Sequence, residues 1–417
     1  MYSEVDTPWI SASPAWLHSG LTLAHCLRRA GIRYVVLEKR AEIAPQEGAS
    51  VGIMPNGARI LEQLGLYSAV EGLVEPLQVG HYLFPDGFSF SSPFSRILYE
   101  RRDLLEILYS SLPFKDDVKV NKAVVRIEQS SETQPAIVHT SDGSSYKGDL
   151  IVGADGVHSR VRAEMWRLAD TLQPGSISDT EMNGMTIEYG CICGISSPTP
   201  GINTGDQITA FGDGRTIFGS VGKGGRLKYV YSNRDAPVFS AKEVEMRCEG
   251  MARETFWKDV TFGDVWDRPP HTGQGANCAM EDAAALSNIL HDRLRRKKEG
   301  KLRKPSDEEM DAFLRLFASN RIRRMANVYS DARLLMRLQA REGLANKILS
   351  RNIFPYLGDV PSEKTSAVVA DGVALEFVPD PRLSELRWLQ LKNQRRVSAA
   401  YGAFCLYPVG STWLCVS

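Results

Sequence analysis

The sequence predicts an α/β protein with a Rossmann-like nucleotide-binding domain, an inserted β-sheet domain and a helical C-terminal region. Near the start, the segment 21–30 has the apolar spacing of a helix and leads into a short apolar strand at 34–39. Strand-like patterns dominate 116–157 and 185–235, and from residue 276 onward the chain is mainly helical. Helix and strand signals at both ends around a strand-rich middle are typical of a nucleotide-binding domain interrupted by a second sheet.

The first helix and the strand after it carry the strongest local signal. Leu23, Leu27 and Ala30 share one helical face, and the following YVVLEK reads as a buried strand. A dinucleotide fold places the pyrophosphate at the N-terminus of its first helix, and an acidic residue about 20 positions later binds the adenosine ribose. Gly20 opens this helix and Glu38 follows 18 residues later. A solvent-facing glutamate in an ordinary βαβ unit fits the spacing equally well.

The glycine fingerprint that normally accompanies this acid is incomplete. If Gly20 is the third glycine of G-x-G-x-x-G, the first two positions fall on Ala15 and Leu17. The preceding VDTPWISASP is not a hydrophobic strand. Side chains at both positions obstruct the close backbone approach that a pyrophosphate requires. We therefore expect the first strand and the glycine-rich loop to be degenerate.

Composition excludes several classes of protein. The 417 residues are 43% hydrophobic and 24% charged, enough for a large core in two or three lobes. Lys plus Arg equal Asp plus Glu at 50 each, so no overall field favours nucleic acid. Seven cysteines without CxxC pairs argue against a disulfide framework and a structural zinc site, and no metal is expected. With no signal-peptide pattern at the N-terminus, we expect a cytoplasmic protein.

Membrane contact is a secondary possibility. No apolar run reaches the roughly 18 residues of a membrane span, and the most apolar tail, 399–416, is interrupted by Pro408. The basic run 292–304 is most simply a solvated helix end. The alternative is a peripheral membrane contact, which suits a lipophilic substrate.

Three further stretches carry a family resemblance: EGASVGIMPNGARILEQLGL at 47–66, GDLIVGADGVHSRVR at 148–162 and GQGANCAMEDAAAL at 273–286. In this order they resemble FAD-dependent monooxygenases of the aromatic-hydroxylase group, in particular fungal enzymes that epoxidise prenyl chains in meroterpenoid and indole-diterpene biosynthesis. The resemblance covers about 20–385. It implies FAD as cofactor, NADPH as co-substrate, and O2 and a lipophilic small molecule as reactants.

The resemblance also assigns cofactor-binding residues. It places Glu38 at the adenosine ribose, Gly52 in backbone contact with the cofactor, and Arg101 at the FAD phosphate or flavin region. A guanidinium suits phosphate because it offers a fork of fixed donors, although Arg101 can also be read as a surface charge at a helix start. Asp155 belongs to a motif associated with FAD and NADPH, and Ala276 begins a helix whose positive end would face the flavin.

Two neighbouring basic residues extend this assignment. Arg160 and Arg162 are candidate contacts for the pyridine nucleotide. Without the resemblance, DGVHS is only a strand-to-helix turn with a capping residue, and GQGAN is only a glycine-rich helix entry.

A second departure precedes GQGAN. Family members carry Gly-Asp, then a proline seven residues after the aspartate, on a strand directly before this motif. Here Gly263-Asp264 and Pro270 are one residue too close, and no apolar strand precedes GQGAN. We therefore expect that a segment with the true motif is absent, and Asp264 receives no cofactor role.

The predicted domains are an FAD-binding domain at 1–175, a β-rich substrate domain at 176–250, a return to the FAD-binding domain at 251–300 and a helical region at 301–417. Phe211, Phe218 and Tyr231 are expected to roof the substrate pocket. No catalytic side chain is identifiable.

The expected activity is monooxygenation, with epoxidation of a prenyl chain as the leading reaction. Hydroxylation of an aromatic ring is the near alternative. A degenerate chain that no longer binds FAD, or a Rossmann-type oxidoreductase that uses NAD(P) alone, are the other two.

Overall fold

The computed structural model describes residues 9–13, 17–45, 50–73, 77–96, 98–129, 135–184, 188–234, 241–265, 276–298, 307–357 and 372–379. The strands in chain order are β1 (Trp9–Ser13), β2 (Tyr34–Glu38), β3 (Ser50–Gly52), β4 (Leu77–Leu83), β5 (Ser89–Arg96), β6 (Leu98–Glu100), β7 (Val118–Lys119), β8 (Val124–Glu128), β9 (Ala136–Thr140), β10 (Ser145–Gly148), β11 (Ile151–Gly153), β12 (Gly190–Pro198), β13 (Asp206–Phe211), β14 (Arg215–Val221), β15 (Arg226–Asn233), β16 (Thr255–Trp257) and β17 (Val260–Thr261). The helices are α1 (Leu17–Arg29), α2 (Pro55–Gln63), α3 (Tyr67–Glu71), α4 (Arg101–Ser110), α5 (Arg160–Leu172), α6 (Asp179–Asn183), α7 (Ala241–Met251), α8 (Phe262–Val265), α9 (Ala276–Lys298), α10 (Asp307–Gln339) and α11 (Gly343–Ile348).

A parallel sheet with the strand order β11-β1-β2-β7 organises the first part of the fold. The predicted helix and buried strand are α1 and β2. Leu23 and Leu27 of α1 are buried in the main hydrophobic core together with residues of α4 and α9. Arg28 and Arg29 in the last turn of α1 complement its dipole, and Gly31, with φ of +74°, ends the helix in the left-handed conformation.

The first strand forms although its sequence is not that of a hydrophobic strand. The five residues WISAS pair in parallel with β2 on one side and β11 on the other, so β1 lies between two strands. Backbone hydrogen bonds to both neighbours do not depend on apolar side chains. The degenerate pattern noted in the sequence therefore still yields a strand at Trp9–Ser13.

A second, six-stranded sheet has the order β12-β15-β14-β13-β4-β5. Only the β13–β4 pair is parallel. The predicted substrate domain, 176–250, supplies four of these strands, whereas β4 and β5 come from the predicted FAD-binding range 1–175. Strand pairing between distant segments is invisible to local sequence patterns, which explains this difference.

The two faces of the second sheet differ in character. The face that carries Ile208, Ile217 and Tyr229, here called the hydrophobic face, packs against α7, β16, β17 and α8. The opposite face, here called the mixed face, carries Gln207, Thr209, Phe211, Phe218, Ser220 and Lys228, as the alternation of side chains and the strand register require.

The C-terminal part is helical, as predicted. The helix α9 packs on α1, α2 and α10. An extended segment, 372–379, lies against α2 and α9, where Gln63 Nε2 donates to the carbonyl of Leu375 and Asn288 Nδ2 donates to the carbonyl of Ala374. Among the described helices, none combines the length and apolar character that a membrane crossing needs.

Candidate functional site

The carboxyl edge of the parallel sheet brings the predicted nucleotide-binding elements together. Ser13 at the end of β1 lies opposite Glu38 at the end of β2, and Ala12 lies opposite Gly153 of β11. The helix α1 starts at Leu17, just beyond this edge. Open α/β sheets bind ligands at the carboxyl ends of their strands, so this edge is the candidate cofactor site. Ala15 and the side chain of Leu17, which interrupt the glycine fingerprint, lie outside the described residues.

Glu38 is almost fully buried at this edge, with 1% of its surface exposed. Its Oε1 accepts a hydrogen bond of 2.9 Å from the backbone N–H of Arg40, and its carbonyl accepts one of 2.8 Å from Lys122. These bonds fix the turn after β2 around the carboxylate. A buried carboxylate at the end of the second parallel strand has the placement that ribose recognition requires.

Asp155 lies beside the same edge, two residues after β11. It is 1% exposed, and its Oδ2 accepts a 3.0 Å hydrogen bond from the backbone N–H of Val161 while its Oδ1 accepts one from Ser159. Ser159 in turn caps α5 by accepting from the N–H of Arg162 at 2.9 Å. The Asp155 side chain therefore builds the turn that starts α5, and Gly156, with φ of +74°, permits that turn.

The two arginines predicted to contact pyridine nucleotide bond to the protein itself. Arg160 donates to the carbonyl of Val125 at 2.5 Å and pairs with Glu164 at 3.0 Å. Arg162 donates to the carbonyl of Val157 and stacks over the ring of Trp166. Both guanidinium groups have protein partners in this structure, so a contact with nucleotide would require them to rearrange.

Gly52 and the start of α9 meet through one side chain, Asn277. Its Nδ2 donates to the carbonyl of Gly52, and its Oδ1 accepts a 2.9 Å hydrogen bond from the N–H of Met54. A Cβ at Gly57 would lie 2.4 Å from the same oxygen, so glycine is required for this close approach. Ala276, predicted as a cofactor contact, is the first residue of α9; GQG at 273–275 and the side chain of Ala276 lie outside the described residues.

Arg101 belongs to the same region by its backbone. The strand β6 pairs with β3, so that Leu98 lies opposite Gly52 and Glu100 opposite Ser50, and Arg101 begins α4 directly afterwards. The side chain of Arg101 is outside the described residues. Gly52, the backbone of Arg101 and the start of α9 are thus brought together, although they are far apart in the sequence.

A buried network of charges, missed in the sequence analysis, supports this region. Glu281 of α9 is 1% exposed and accepts two hydrogen bonds from Arg324, at 2.7 and 2.8 Å, and one from Arg321 at 2.8 Å. Its other partner is Asn56 of α2, whose Nδ2 lies 2.5 Å away. Arg321 also pairs with Asp282. The network ties α2, α9 and α10 together.

The protonation of these acids follows from their surroundings. Burial opposes the ionisation of Glu281, but hydrogen bonds from Arg324, Arg321 and Asn56 outweigh it and lower the pKa of that carboxyl below its ordinary value. Burial raises the pKa of Asp282 despite its pairing with Arg321. Glu281 is thus the anion that neutralises the two guanidinium groups. Its signal in the sequence was only the MEDAAAL stretch of α9, without any sign of its partners on α10.

Asp264 lies away from the parallel sheet. It sits in α8, under the hydrophobic face, where its Oδ2 accepts hydrogen bonds of 2.7 Å from both the backbone N–H and the hydroxyl of Thr261. These bonds lower the pKa of the Asp264 carboxyl. The decision to give Asp264 no cofactor role agrees with this placement.

The mixed face of the second sheet ends in a group of six aromatic rings, here called the aromatic cluster: Tyr82, Phe84, Phe88, Phe90, Phe211 and Phe354. The centroids of Tyr82 and Phe90 are 4.7 Å apart, those of Phe84 and Phe211 4.6 Å, and Phe354 lies edge-on to Tyr82 at 5.5 Å. Such offset and edge-on pairs are favourable contacts between rings. They make this end of the mixed face strongly apolar.

The three aromatic residues expected to roof a substrate pocket divide between the two faces. Phe211 belongs to the aromatic cluster, and Phe218 is half-buried on the mixed face. The prediction for Tyr231 was wrong: Tyr231 lies opposite Ile217 on the hydrophobic face and packs against Phe262, with the ring centroids 5.9 Å apart. Successive strand residues point to opposite faces, and the sequence alone did not fix which parity faces which layer.

Comparisons with known proteins agree with this arrangement. A sequence model described as FAD binding domain matches residues 17–167. The chain is 42% identical to the FAD-dependent monooxygenase spyC of Aspergillus fumigatus over 95% of this chain and 93% of that protein. It is 43% identical to the FAD-dependent monooxygenase cdmI of Talaromyces verruculosus over 91% and 89% of the two chains.

Solved structures show the same fold at low identity. The structure of HpxO from Klebsiella pneumoniae, complexed with FAD and uric acid, superposes with a TM-score of 0.66 at 19% identity and covers 89% of this chain and 98% of that one. The p-nitrophenol 4-monooxygenase PnpA from Pseudomonas putida gives 0.66 at 16% identity over 87% and 96%. The predicted fold class is confirmed, as is FAD as the cofactor. The chain belongs to the FAD-dependent monooxygenases.

Proposed function

We propose that this monooxygenase uses NADPH and O2 to epoxidise a prenyl chain on a lipophilic small molecule of fungal secondary metabolism. The observation that carries the proposal is the aromatic cluster on the mixed face. Six rings at one end of a largely buried sheet face form a surface for an apolar chain, not for a charged ligand. The neutral overall charge of the protein agrees with an uncharged substrate.

FAD would be held by residues at the carboxyl edge of the parallel sheet and at the start of α9. We assign Glu38 to the adenosine ribose because its carboxylate is buried where β2 ends. Gly52 and Ala276 would offer backbone groups, held in place by Asn277. Arg101 would bind phosphate or the flavin region, and Asp155 would act by shaping the turn before α5. Bound FAD supplies the redox chemistry with NADPH and O2.

The protein then has to bind, orient and shield the reactants. The hydrogen bonds from Asn277 fix β3 against α9, and the buried pairs of Glu281 fix α9 against α10. This rigidity keeps the flavin-side backbone in one geometry. The aromatic cluster would exclude water from the apolar chain and direct it along the mixed face. A peripheral membrane contact through the basic run 292–304 would deliver such a substrate.

The proposed absence of a segment before GQGAN has independent support. The match to the Aspergillus fumigatus relative extends over 450 residues, more than the 417 residues of this chain. That relative therefore carries residues within the matched region that this chain lacks. Their loss would weaken cofactor binding more than the fold, since the sheet and the helices of the cofactor region still form.

Product analysis with paired probes tests the proposed reaction. FAD-saturated protein is incubated with NADPH, oxygen and either a farnesylated phenol or the same phenol without its chain. We expect one added oxygen on the farnesyl chain and no product from the plain phenol. Oxygen on the ring in both probes would contradict the prenyl substrate and indicate a ring hydroxylase instead.

A further inference from the structure

We propose that Gln207, Thr209 and Ser220 form a polar subsite that binds a hydroxyl group of the substrate. The subsite lies on the mixed face, on β13 and β14, and acts as a specificity determinant. For the apolar remainder of the ligand, the proposal rests on the proposed function.

The first observation is that these three side chains are buried without hydrogen-bond partners among the described residues. Their exposed fractions are 4%, 1% and 0%, and Gln207 Oε1, Thr209 Oγ1 and Ser220 Oγ have no partner there. Buried polar atoms are nearly always hydrogen-bonded, because burial removes their bonds to water. Three such atoms on one sheet face indicate that a ligand completes them.

A neighbour on the same face shows the contrast. Thr216 of β14 is also buried, at 2%, but its hydroxyl donates a 3.1 Å hydrogen bond to the carbonyl of Ala210. Buried hydroxyls of this sheet can therefore be satisfied by the backbone. Those of Thr209 and Ser220 are not.

The three side chains converge on a space of about one functional group. Gln207 and Ser220 are directly opposite each other, and Thr209 is two residues along from Gln207 on the same face. Opposite residues have Cβ atoms about 5 Å apart, and residues two apart along a strand are separated by about 7 Å. The ring of Tyr82 closes this space on one side, because its hydroxyl lies over Gly80, the residue opposite Gln207.

The hydrogen-bonding pattern selects the ligand group. Gln207 Oε1 can only accept, whereas the hydroxyls of Thr209 and Ser220 can donate. A hydroxyl group matches all three, since it donates one hydrogen bond and accepts two. A carbonyl or a carboxylate has no proton to give to Gln207. The subsite therefore fits an alcohol or a phenol.

The position of the subsite relative to the aromatic cluster gives the substrate an orientation. Phe211 is four residues from Gln207 on the same strand and face, which corresponds to about 13 Å. A ligand with its hydroxyl at Gln207 would extend an apolar chain toward the rings around Phe211. The hydroxyl would thus anchor the molecule and determine which part of the chain is presented for oxidation.

Direct binding measurements test this proposal without relying on turnover. Calorimetric titration of the FAD-saturated protein would compare a farnesylated phenol with farnesylbenzene, which lacks only the hydroxyl. We expect the phenol to bind about ten- to a hundredfold more tightly, because a site built for a hydroxyl leaves its polar groups unpaired with the other probe. In the double variant Thr209→Val, Ser220→Ala, both probes should bind with the farnesylbenzene affinity of the wild type.

The matched control is Thr216→Val, which removes a buried hydroxyl from the same face but should keep the preference for the phenol. Equal binding of the two probes by the wild type, or an equal loss for both probes in the double variant, would overturn the subsite. If neither probe binds, the prenyl part of the proposed function fails and the unliganded protein decides. Thr209→Val should then raise the thermal unfolding midpoint, and a lower midpoint would show that the hydroxyl already has a protein partner.

Discussion

Replacing Glu281 with glutamine should destabilise the cofactor region strongly. Glu281 is 1% exposed and is the shared anion for Arg321 and Arg324, whose side chains are 5% and 17% exposed. Arg324 forms two hydrogen bonds to it, at 2.7 and 2.8 Å. Glu281→Gln removes the negative charge and places an amide N–H against guanidinium donors. Leaving such charges buried without their counterion costs about 3–5 kcal/mol in the free energy of unfolding.

Urea unfolding followed by far-ultraviolet circular dichroism measures this loss. Asp311→Asn is the matched control, since Asp311 lies on the same helix α10 and pairs with Arg315 at 2.7 Å, but both side chains are largely exposed. We expect no measurable change in the control, because exposed pairs contribute little. A Glu281→Gln variant as stable as the wild type would refute the view that this network holds α2, α9 and α10 together.

Three further predictions concern the cofactor site and its pH dependence. Glu38→Ala should weaken FAD binding by about ten- to a hundredfold, since it removes a buried charged acceptor; an unchanged FAD titration would remove Glu38 from the site. Gly57→Ala should reduce FAD retention measured after gel filtration, because the new Cβ displaces Asn277, and retention equal to the wild type would contradict this. The stability difference between wild type and Glu281→Gln should shrink as the pH falls below about 4: the folded-state pKa of Glu281 is lowered, so its contribution is present above the unfolded pKa and lost as the pH falls through the folded pKa. Asp282, whose pKa is raised, acts in the opposite direction, and a constant difference in urea unfolding down to pH 3 would contradict the assignment.

Local patterns in the sequence were sufficient for the helix α1, the strand β2 and the position of Glu38. Each depends on side-chain periodicity within one short segment, which the sequence displays directly. The strand β1 was harder, because WISAS lacks an apolar pattern and forms through backbone pairing with two neighbours. The family motifs placed Gly52 and Ala276 near each other in function, but not the side chain that joins them.

Long-range contacts account for what the sequence did not show. Asn277 binds the backbone of Gly52, 225 residues earlier, and Glu281 binds arginines on a separate helix. The second sheet recruits β4 and β5 from the first part of the chain, and its pairing sets which residues face the hydrophobic layer. Tyr231 was assigned to the wrong face for that reason. No local pattern encodes which strands become neighbours or which face becomes buried.

The visible absorption spectrum of the purified, FAD-reconstituted protein tests the central claim most directly. A bound flavin that serves as the redox cofactor should show the two visible bands of oxidised FAD after unbound cofactor is removed. Those bands should bleach when NADPH is added without oxygen and return when air is admitted. A folded protein that stays colourless after reconstitution, or one whose flavin bands do not respond to NADPH, would contradict the assignment of this chain as an NADPH-dependent flavin monooxygenase.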